Sequence, residues 1–524
     1  MKKAIPYLRR TIQTLSFLFL LFLIVKTAFP LELKIPVDLY LRLDPFIGII
    51  TILTKKEIIL RMLPALGVLL AVFIFGNFFC GWFCPMGSAI DFFDRILFRE
   101  KNWSKSFNDQ SLRRLRYGIL MFSLVAGLMA FQVMYVLDPI SLITRTLVIA
   151  FYPPAIFVFN TLVPQVQGLL PKNSFLASTI PMPMFKVNLL IFAFFIGILA
   201  LGIVRKRFWC RYLCPLGALF SIVSRFRILK RFVTEECTHC QKCVKGCPVG
   251  AIPEATPESY RQQDCISCFK CLECPPEAVS FHFGLPRWRT VNGVNLSRRY
   301  VLGSLAFGAV SALMIKANPL QSESGLKNNR LIRPPGSLPE EQFVSVCTGC
   351  GECLKVCPNN ALQSTLLEAG LAGLYTPRLV PRIGYCEEFC NFCGRICPTE
   401  AIRPLAIEEK RLLQMGVAHI NKTRCIAWDT DKICLVCNEQ CSYHAVVGDD
   451  KKRPIVKEEK CTGCGICENK CPVDGEAAII VYASGVQKKL KPEDVNNNKK
   501  EIPTNPVKKR KALNNENTSG RGEG

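Results

Sequence analysis

The chain has 524 residues, half of them hydrophobic, with 66 Lys+Arg against 41 Asp+Glu and a formal net charge of +25. A soluble globular domain does not normally combine positive mean hydropathy with this much basic charge; a membrane protein with basic cytoplasmic edges does, because positive loops are retained inside. The basic residues flank apolar spans or lie in the tail, and no nucleic-acid motif stands beside them, which argues against a nucleic-acid partner.

Lys2, Lys3, Arg9 and Arg10 precede a first apolar span at about 12–29 and place the N-terminus inside. Further spans follow at about 62–79, 117–137 and 187–204, each near the roughly 20 residues that cross a bilayer. Arg95, Arg99, Lys101, Lys105, Arg113, Arg114 and Arg116 separate the second and third spans. Arg205, Lys206, Arg207 and Arg211 follow the fourth, so both connections read as cytoplasmic. Lys55, Lys56 and Arg61 run against this balance. The apolar stretch at 146–163 is interrupted by Pro153-Pro154 and reads as interfacial or re-entrant.

The membrane part repeats itself. Tyr40 to Asp44-Pro45 matches Tyr135 to Asp138-Pro139, and beyond an apolar span each is followed by a cysteine pair. The pairs are Cys80-Gly-Trp-Phe-Cys84-Pro85 and Cys210-Arg-Tyr-Leu-Cys214-Pro215. Two units of the same direction imply a pseudo-twofold along the membrane normal, with both Asp-Pro segments at the outer face and both cysteine turns at the inner face. Asp44 and Asp138 are candidate proton acceptors, or simply turn residues at helix ends. Cys80, Cys84, Cys210 and Cys214 could hold a metal, cycle as redox thiols or shape turns, and the sequence leaves these three open.

The 28 cysteines otherwise fall into groups of four. A disulfide framework rarely repeats one short spacing along so long a chain. Cys237, Cys240, Cys243 and Cys247-Pro248 form the first group, and Cys265, Cys268, Cys271 and Cys274-Pro275 the second, one residue shorter than the usual spacing. Three cysteines at two-residue spacing wrap three corners of a cube, and the fourth, before proline, ligates the partner cluster. Cys237, Cys240, Cys243 and Cys274 are thus expected to hold one cluster, and Cys265, Cys268, Cys271 and Cys247 the other. Four thiolates also make a zinc site, but zinc groups seldom take this spacing. No Cys-x-x-Cys-His occurs, and His239, His282, His419 and His444 all lie outside the apolar spans, so no haem is expected.

Ser297-Arg298-Arg299 then leads into an apolar stretch and resembles a twin-arginine export signal without a cleavage site. This segment is expected to remain as a fifth span and to carry everything downstream outside. Four more groups follow: Cys347, Cys350, Cys353, Cys357; Cys386, Cys390, Cys393, Cys397; Cys425, Cys434, Cys437, Cys441; and Cys461, Cys464, Cys467, Cys471. Pairing of first with second and third with fourth, or a nested pairing, are both open. The long Cys425–Cys434 gap implies a looped-out insertion. Loading clusters before export would keep these thiols from forming disulfides outside.

The four spans, the two cysteine turns and the ferredoxin module of the first 284 residues resemble the NapH-type membrane component of periplasmic nitrate reduction. Residues from about 296 to 482 resemble its NapG/MauM-type partner, so the chain looks like a natural fusion of the two. The fold class expected is an α-helical membrane domain of about five transmembrane helices plus α+β bacterial ferredoxin-like 4Fe-4S modules. The expected division is a membrane domain (1–230), a cytoplasmic two-cluster module (231–284), a signal anchor (285–318), a linker (319–340), a periplasmic four-cluster domain (341–485) and a disordered basic tail (486–524). The resemblance implies about six [4Fe–4S] clusters, a bacterial inner-membrane location, and a membrane quinol as substrate. It further implies a periplasmic cytochrome or reductase as electron acceptor and the twin-arginine translocon as a partner during export. An assembly or reactivation factor for a periplasmic metalloenzyme, or a metal-ion reductase, are the competing functions.

Overall fold

The computed structural model describes residues 5–28, 31, 35–97, 109–130, 134–166, 182–274, 278–284, 298–317 and 329–492. Arg99, Lys101, Lys105, the lead-in to the twin arginine through Ser297, the first part of the expected linker and the tail beyond 492 lie outside these residues.

A helical body occupies the first half of the chain. Helix α1 (Ile5–Lys26) buries Arg9, Gln13, Ser16, Leu20, Leu23 and Ile24 at helical spacing, while Leu15, Leu18, Phe22 and Val25 on its other side are exposed. An apolar exposed face over a partly polar buried one reverses the pattern of a water-soluble helix. Arg9 and Gln13 both donate to the Gly81 carbonyl at 3.0 Å, and Ser16 donates to Phe83 O at 2.7 Å, which seats α1 on the first cysteine turn. The short α2 (Leu39–Arg42) then enters the body, the chain breaks at Asp44, and α3 (Pro45–Lys55) returns. Next come α4 (Pro64–Phe75), α5 (Phe78–Trp82) and α6 (Pro85–Leu97).

The second unit repeats this order. It comprises α7 (Asp109–Leu128), a turn at Met134–Leu137, α8 (Pro139–Arg145) continuing through a π turn into α9 (Tyr152–Val166), α10 (Asn188–Ala200), α11 (Phe208–Tyr212) and α12 (Pro215–Val223). The internal repeat therefore extends back to α1 and α7, further than the matching motifs indicated.

Among the described residues, two helices are long and apolar enough to cross a membrane, Ile5–Lys26 and Pro139–Leu162, in place of the five expected. The second of these runs as continuous helical structure through most of the stretch 146–163. Pro153 and Pro154 do not interrupt it, because the π turn Thr146–Phe151 just before them absorbs the hydrogen bonds that proline cannot make. The expected spans at 62–79 and 187–204 are the shorter apolar helices Leu60–Phe75 and Asn188–Ile203. At ~1.5 Å per residue these fall short of the ~30 Å bilayer core. The expected span at 117–137 is displaced: α7 starts at Asp109 and takes Arg113, Arg114 and Arg116 into its first turns. Helix α14 (Arg298–Ala317) packs along α7, with Tyr300 Oη donating to Arg114 O at 2.9 Å and Phe307 against Phe122.

Two ferredoxin-like units cap opposite ends of this body. The one beside the cysteine turns pairs β1 (Leu229–Val233) antiparallel with β2 (Val279–Phe283), with α13 (Lys242–Gly246) between them in sequence. The larger C-terminal unit contains three antiparallel pairs: β3 (Leu362–Ser364) with β4 (Pro377–Leu379), β5 (Leu413–Ile420) with β8 (Ile479–Lys489), and β6 (Val446–Gly448) with β7 (Pro454–Val456). It begins earlier and ends later than expected. Leu331 and Ile332, assigned to the linker, are buried, and Ile332 bridges to Leu379. At the other end β8 reaches Lys489 opposite Leu413, so the tail starts beyond 486.

Candidate iron–sulfur centres

In each unit the cysteines gather into four-membered sets. Near α13, Cys237, Cys240, Cys243 and Cys274 lie together, and Cys247 joins Cys265, Cys268 and Cys271 around a cavity of about 20 Å³. The shorter second group closes because Cys271 and Cys274 are joined by the tighter 3-10 turn Lys270–Glu273, where the first group uses the α-turn Lys242–Gly246.

In the C-terminal unit, Cys347, Cys350 and Cys353 meet Cys397 around a second cavity of about 20 Å³. Cys386, Cys390 and Cys393 meet Cys357. Cys425, Cys434 and Cys437 meet Cys471 around a third cavity of about 20 Å³, and Cys461, Cys464 and Cys467 meet Cys441. The groups are therefore crossed between neighbours, first with second and third with fourth, and the nested alternative falls. The Cys425–Cys434 insertion includes one helical turn, Ile426–Asp429, which brings Cys434 back to its set.

The loops are shaped to receive a cluster. In four of them the residues on either side of the second cysteine have positive φ: His239 and Gln241, Ser267 and Phe269, Gly349 and Gly351, Gly463 and Gly465. That alternation curls successive backbone N–H groups inward, a nest for an anion. At Gly351 a Cβ would also press on Ile149 of the π turn. The sulfurs of the fourth cysteines accept backbone N–H bonds: Ala251 N to Cys247 Sγ at 3.3 Å, Ala445 N to Cys441 Sγ at 3.3 Å and Ala478 N to Cys471 Sγ at 3.4 Å. Burial pushes the thiols of Cys347, Cys390 and Cys464 up to about 12, so a bare thiolate is disfavoured there and bonding to iron removes that penalty. Cavity size, inward N–H groups and sulfur acceptors all fit four-iron clusters.

The sets are ordered in space. The Cys347 set touches the helical body: Arg145 Nη1 donates to Gly349 O at 3.4 Å and Arg61 Nη1 to Cys397 O at 3.3 Å. Cys353 and Cys393 couple it to the Cys386 set. Cys386 N donates to Cys464 O at 2.8 Å, which joins that set to Cys461, and Cys467 neighbours Cys437 of the last set. Lys410, absent from the sequence-level candidates, sits at the middle junction. Its ammonium donates to Glu387 O and to Glu388 O at 3.1 Å. Burial opposes its charge, but neighbouring Cys386, Tyr443, Cys390 and Cys464 outweigh that and hold its pKa above the usual lysine range. A lysine inside the run Glu408-Glu409-Lys410-Arg411 gave no signal, since such charge runs are usually solvated.

The remaining candidates lie inside the body. Asp44 and Asp138 are both fully buried and abut one another. Each caps a helix, Asp44 accepting from Phe46 N at 2.8 Å and Asp138 from Ser141 N at 2.7 Å. Asp44 Oδ2 and Asp138 Oδ1 meet no hydrogen-bond partner, and two carboxyls so placed can share one proton. Cys80, Cys84, Cys210 and Cys214 do come together, around one cavity also lined by Pro139.

Comparison with known proteins finds 4Fe-4S domains in both halves of the chain. One 4Fe-4S binding domain family matches residues 58–106 and 187–232, and another matches 231–252, 343–363 and 454–475. The chain is 35% identical to the methylamine utilization ferredoxin-type protein MauM of Methylorubrum extorquens over 29% of this chain and 72% of that protein. It is 28% identical to the ferredoxin-type protein NapG of Escherichia coli over 37% of this chain and 90% of that protein. An uncharacterized protein of Methanocaldococcus jannaschii is 28% identical over 54% of this chain and 98% of its own length. No solved structure matches the chain.

Proposed function

The chain belongs to the family of ferredoxin-type MauM proteins, and on that premise we propose that it oxidises a membrane quinol and relays the electrons outward. It is a ferredoxin-type electron-transfer protein with multiple 4Fe-4S clusters. In this reading the six four-cysteine sets described above are the ligands of six clusters. Bound clusters supply one-electron redox chemistry. The observation that carries the reading is the continuous order of the C-terminal sets, Cys347 to Cys386 to Cys461 to Cys425, leading away from the helical body. The abutting Asp44 and Asp138 accept the protons that quinol releases, because a buried pair of carboxyls has room for one proton at little cost.

The first half of the chain corresponds to a NapH-type membrane component and the second to its NapG/MauM-type partner. The apolar exposed faces of α1 and α10, including Leu15, Leu18, Leu189 and Leu190, support burial in lipid. The C-terminal unit lies in the periplasm, exported by the twin-arginine route at Arg298-Arg299. A periplasm-active reporter is then active after Tyr482 and silent after Phe283, and Lys-Lys at 298–299 blocks export.

A second reading, an assembly or reactivation factor fed from the cytoplasm, is favoured by the exposure of Cys240 at the far tip of the smaller unit. Adding quinol to the anaerobic, cluster-loaded protein in lipid separates the two. Bleaching of the iron–sulfur absorbance by quinol, and not by reduced cytoplasmic ferredoxin, supports quinol oxidation; the reverse outcome establishes the second reading.

A further inference from the structure

We propose that Cys80, Cys84, Cys210 and Cys214 together hold one further [4Fe–4S] cluster, which joins the two ferredoxin units electrically through the helical body. The two segments matching a 4Fe-4S family model, 58–106 and 187–232, contain two cysteines each. Neither can ligate a four-iron cluster alone; the internal repeat brings both pairs to one cavity.

That cavity, of about 30 Å³, is comparable to those of about 20 Å³ inside three of the ferredoxin sets. Its sulfurs are presented in the same way. Gly217 N donates to Cys214 Sγ at 3.2 Å, and Gly87 N bonds its repeat mate Cys84, matching the Ala251–Cys247 and Ala445–Cys441 bonds. Cys84 and Cys214 also stand at the starts of α6 and α12, where the helix dipole favours an anionic sulfur. A mononuclear site does not fit: among the described residues no three Cys, His, Asp or Glu side chains converge on a single ion, whereas tetrahedral zinc draws its sulfurs to within about 4 Å of one another.

Charge points the same way. Arg113, Arg116, Arg207 and Arg211 all line the cavity and are all buried, with Asp264 as the one carboxylate among its lining residues. Arg207 is neutralised from behind by Asp91, at 2.6 and 2.8 Å, and Arg113 by Asp264 and Asp109. Arg116 shares Asp264 with Arg113, which leaves Arg211: among the described residues it meets no carboxylate, donates to Pro248 O at 2.7 Å, and its Nε meets no partner. Buried guanidinium without a counter-charge is costly. A tetrathiolate four-iron centre, of charge about −2 oxidised and −3 reduced, supplies that counter-charge.

The position closes the gap between the ferredoxin units. On one side Cys80 packs with Cys247 and Cys265 around Ile266. On the other, Pro139 lines the cavity and Arg145, six residues along the same helix, meets Gly349 of the Cys347 set. Six residues of helix rise about 9 Å, so one helix links the cavity to the Cys347 set. Resting on the quinol reading, each quinol releases two electrons and two protons. A cluster held by these four cysteines would supply one-electron chemistry, so that two electrons from a quinol would pass singly toward the Cys347 set. No bond at the cysteines is made or broken, and the protons leave separately.

The test compares the full-length, anaerobically purified parent with C84S, C214S and the double variant. Iron and sulfide should fall from about 28 to about 24 atoms per chain, with one fewer centre in the dithionite-reduced electron paramagnetic resonance spectrum. Equal iron in parent and double variant, or stoichiometric zinc lost on substitution, overturns the proposal. Should the variants fail to fold, the parent alone decides: about 28 irons supports it and about 24 refutes it. Dithionite needs no quinol site, so a parent that loses four irons on substitution yet ignores quinol defeats only the quinol reading.

Discussion

The two ferredoxin units are bound to the same helical body by different means. At the smaller unit the attachment is concentrated on one acid: Asp264, fully buried, receives Arg113 at 2.9 Å and also Arg116. Around it lie Trp82 Nε1 to Ser267 O, at 3.0 Å, Asn77 Nδ2 to Gln263 O, at 2.6 Å, Arg211 Nη2 to Pro248 O, at 2.7 Å, and the ion pair of Arg261 with Asp109, at 2.9 Å. At the larger unit cations of the body bond mostly to scattered carbonyls, beside one half-exposed ion pair, Arg61 with Glu400 at 3.3 Å. Lys55 reaches Thr399 O and Glu400 O at 2.9 and 3.2 Å, and Arg61 reaches Arg395 O at 3.2 Å. Lys355 returns the contact to Thr27 O at 2.9 Å, while Val37 packs with Val356 and Phe392. A buried ion network is decisive at one point and brittle there; many carbonyl contacts tolerate the loss of any one.

The largest effect should follow Asp264→Asn, which removes the carboxylate shared by two buried guanidinium groups and leaves Arg113 with Asp109 alone. A loss of about 3–5 kcal/mol is expected, read as early thermal release of the smaller unit's iron with the larger unit's iron retained. Simultaneous release of both would break the contrast. Next, Cys461→Ser should remove about four irons from the larger unit and leave the Cys237 and Cys265 sets loaded, as iron analysis with site-resolved spectroscopy would report; loss of the smaller unit's clusters would mean that the two are not independent.

Lys410→Met tests the relay within the larger unit. Removing one buried positive charge beside two sets should lower their reduction potentials on the order of 50–100 mV at an effective dielectric of about 20, with the smaller unit's potentials unmoved in the same redox titration. Unchanged potentials in the larger unit would show that its charge is already screened. The smallest effect belongs to Lys55→Ala, at about 1 kcal/mol or less, since Arg61 and the apolar contacts remain. A melting transition shifted as far as that of Asp264→Asn would place the larger unit's attachment on one residue as well.

Much of the site was legible because cluster-binding loops are local. Three cysteines at two-residue spacing and a fourth before proline lie within a few turns, and the exchange of that fourth ligand, as in Cys247 and Cys274, follows from the same short segments. Pairing among the four C-terminal groups was not legible, since several arrangements satisfy one spacing and only packing selects among them. Hydropathy could not show how the arginines are used, for a different reason. It treats arginine as an interface marker, whereas Arg113, Arg116 and Arg207 are taken into the body by Asp264 and Asp91. Lys55 and Arg61, which ran against the charge balance, bind the C-terminal unit's carbonyls.

By itself the sequence determined the chemistry and the repeat: cysteine spacing specifies cluster-binding loops, and matched Asp-Pro and cysteine-proline motifs specify two like units. Only the tertiary structure decided what those units build together. Asp44 meets Asp138, and Cys80 and Cys84 meet Cys210 and Cys214, across about a hundred residues or more of chain. Such meetings depend on how one helical unit packs against its repeat, and neither periodicity nor spacing within a unit carries that information.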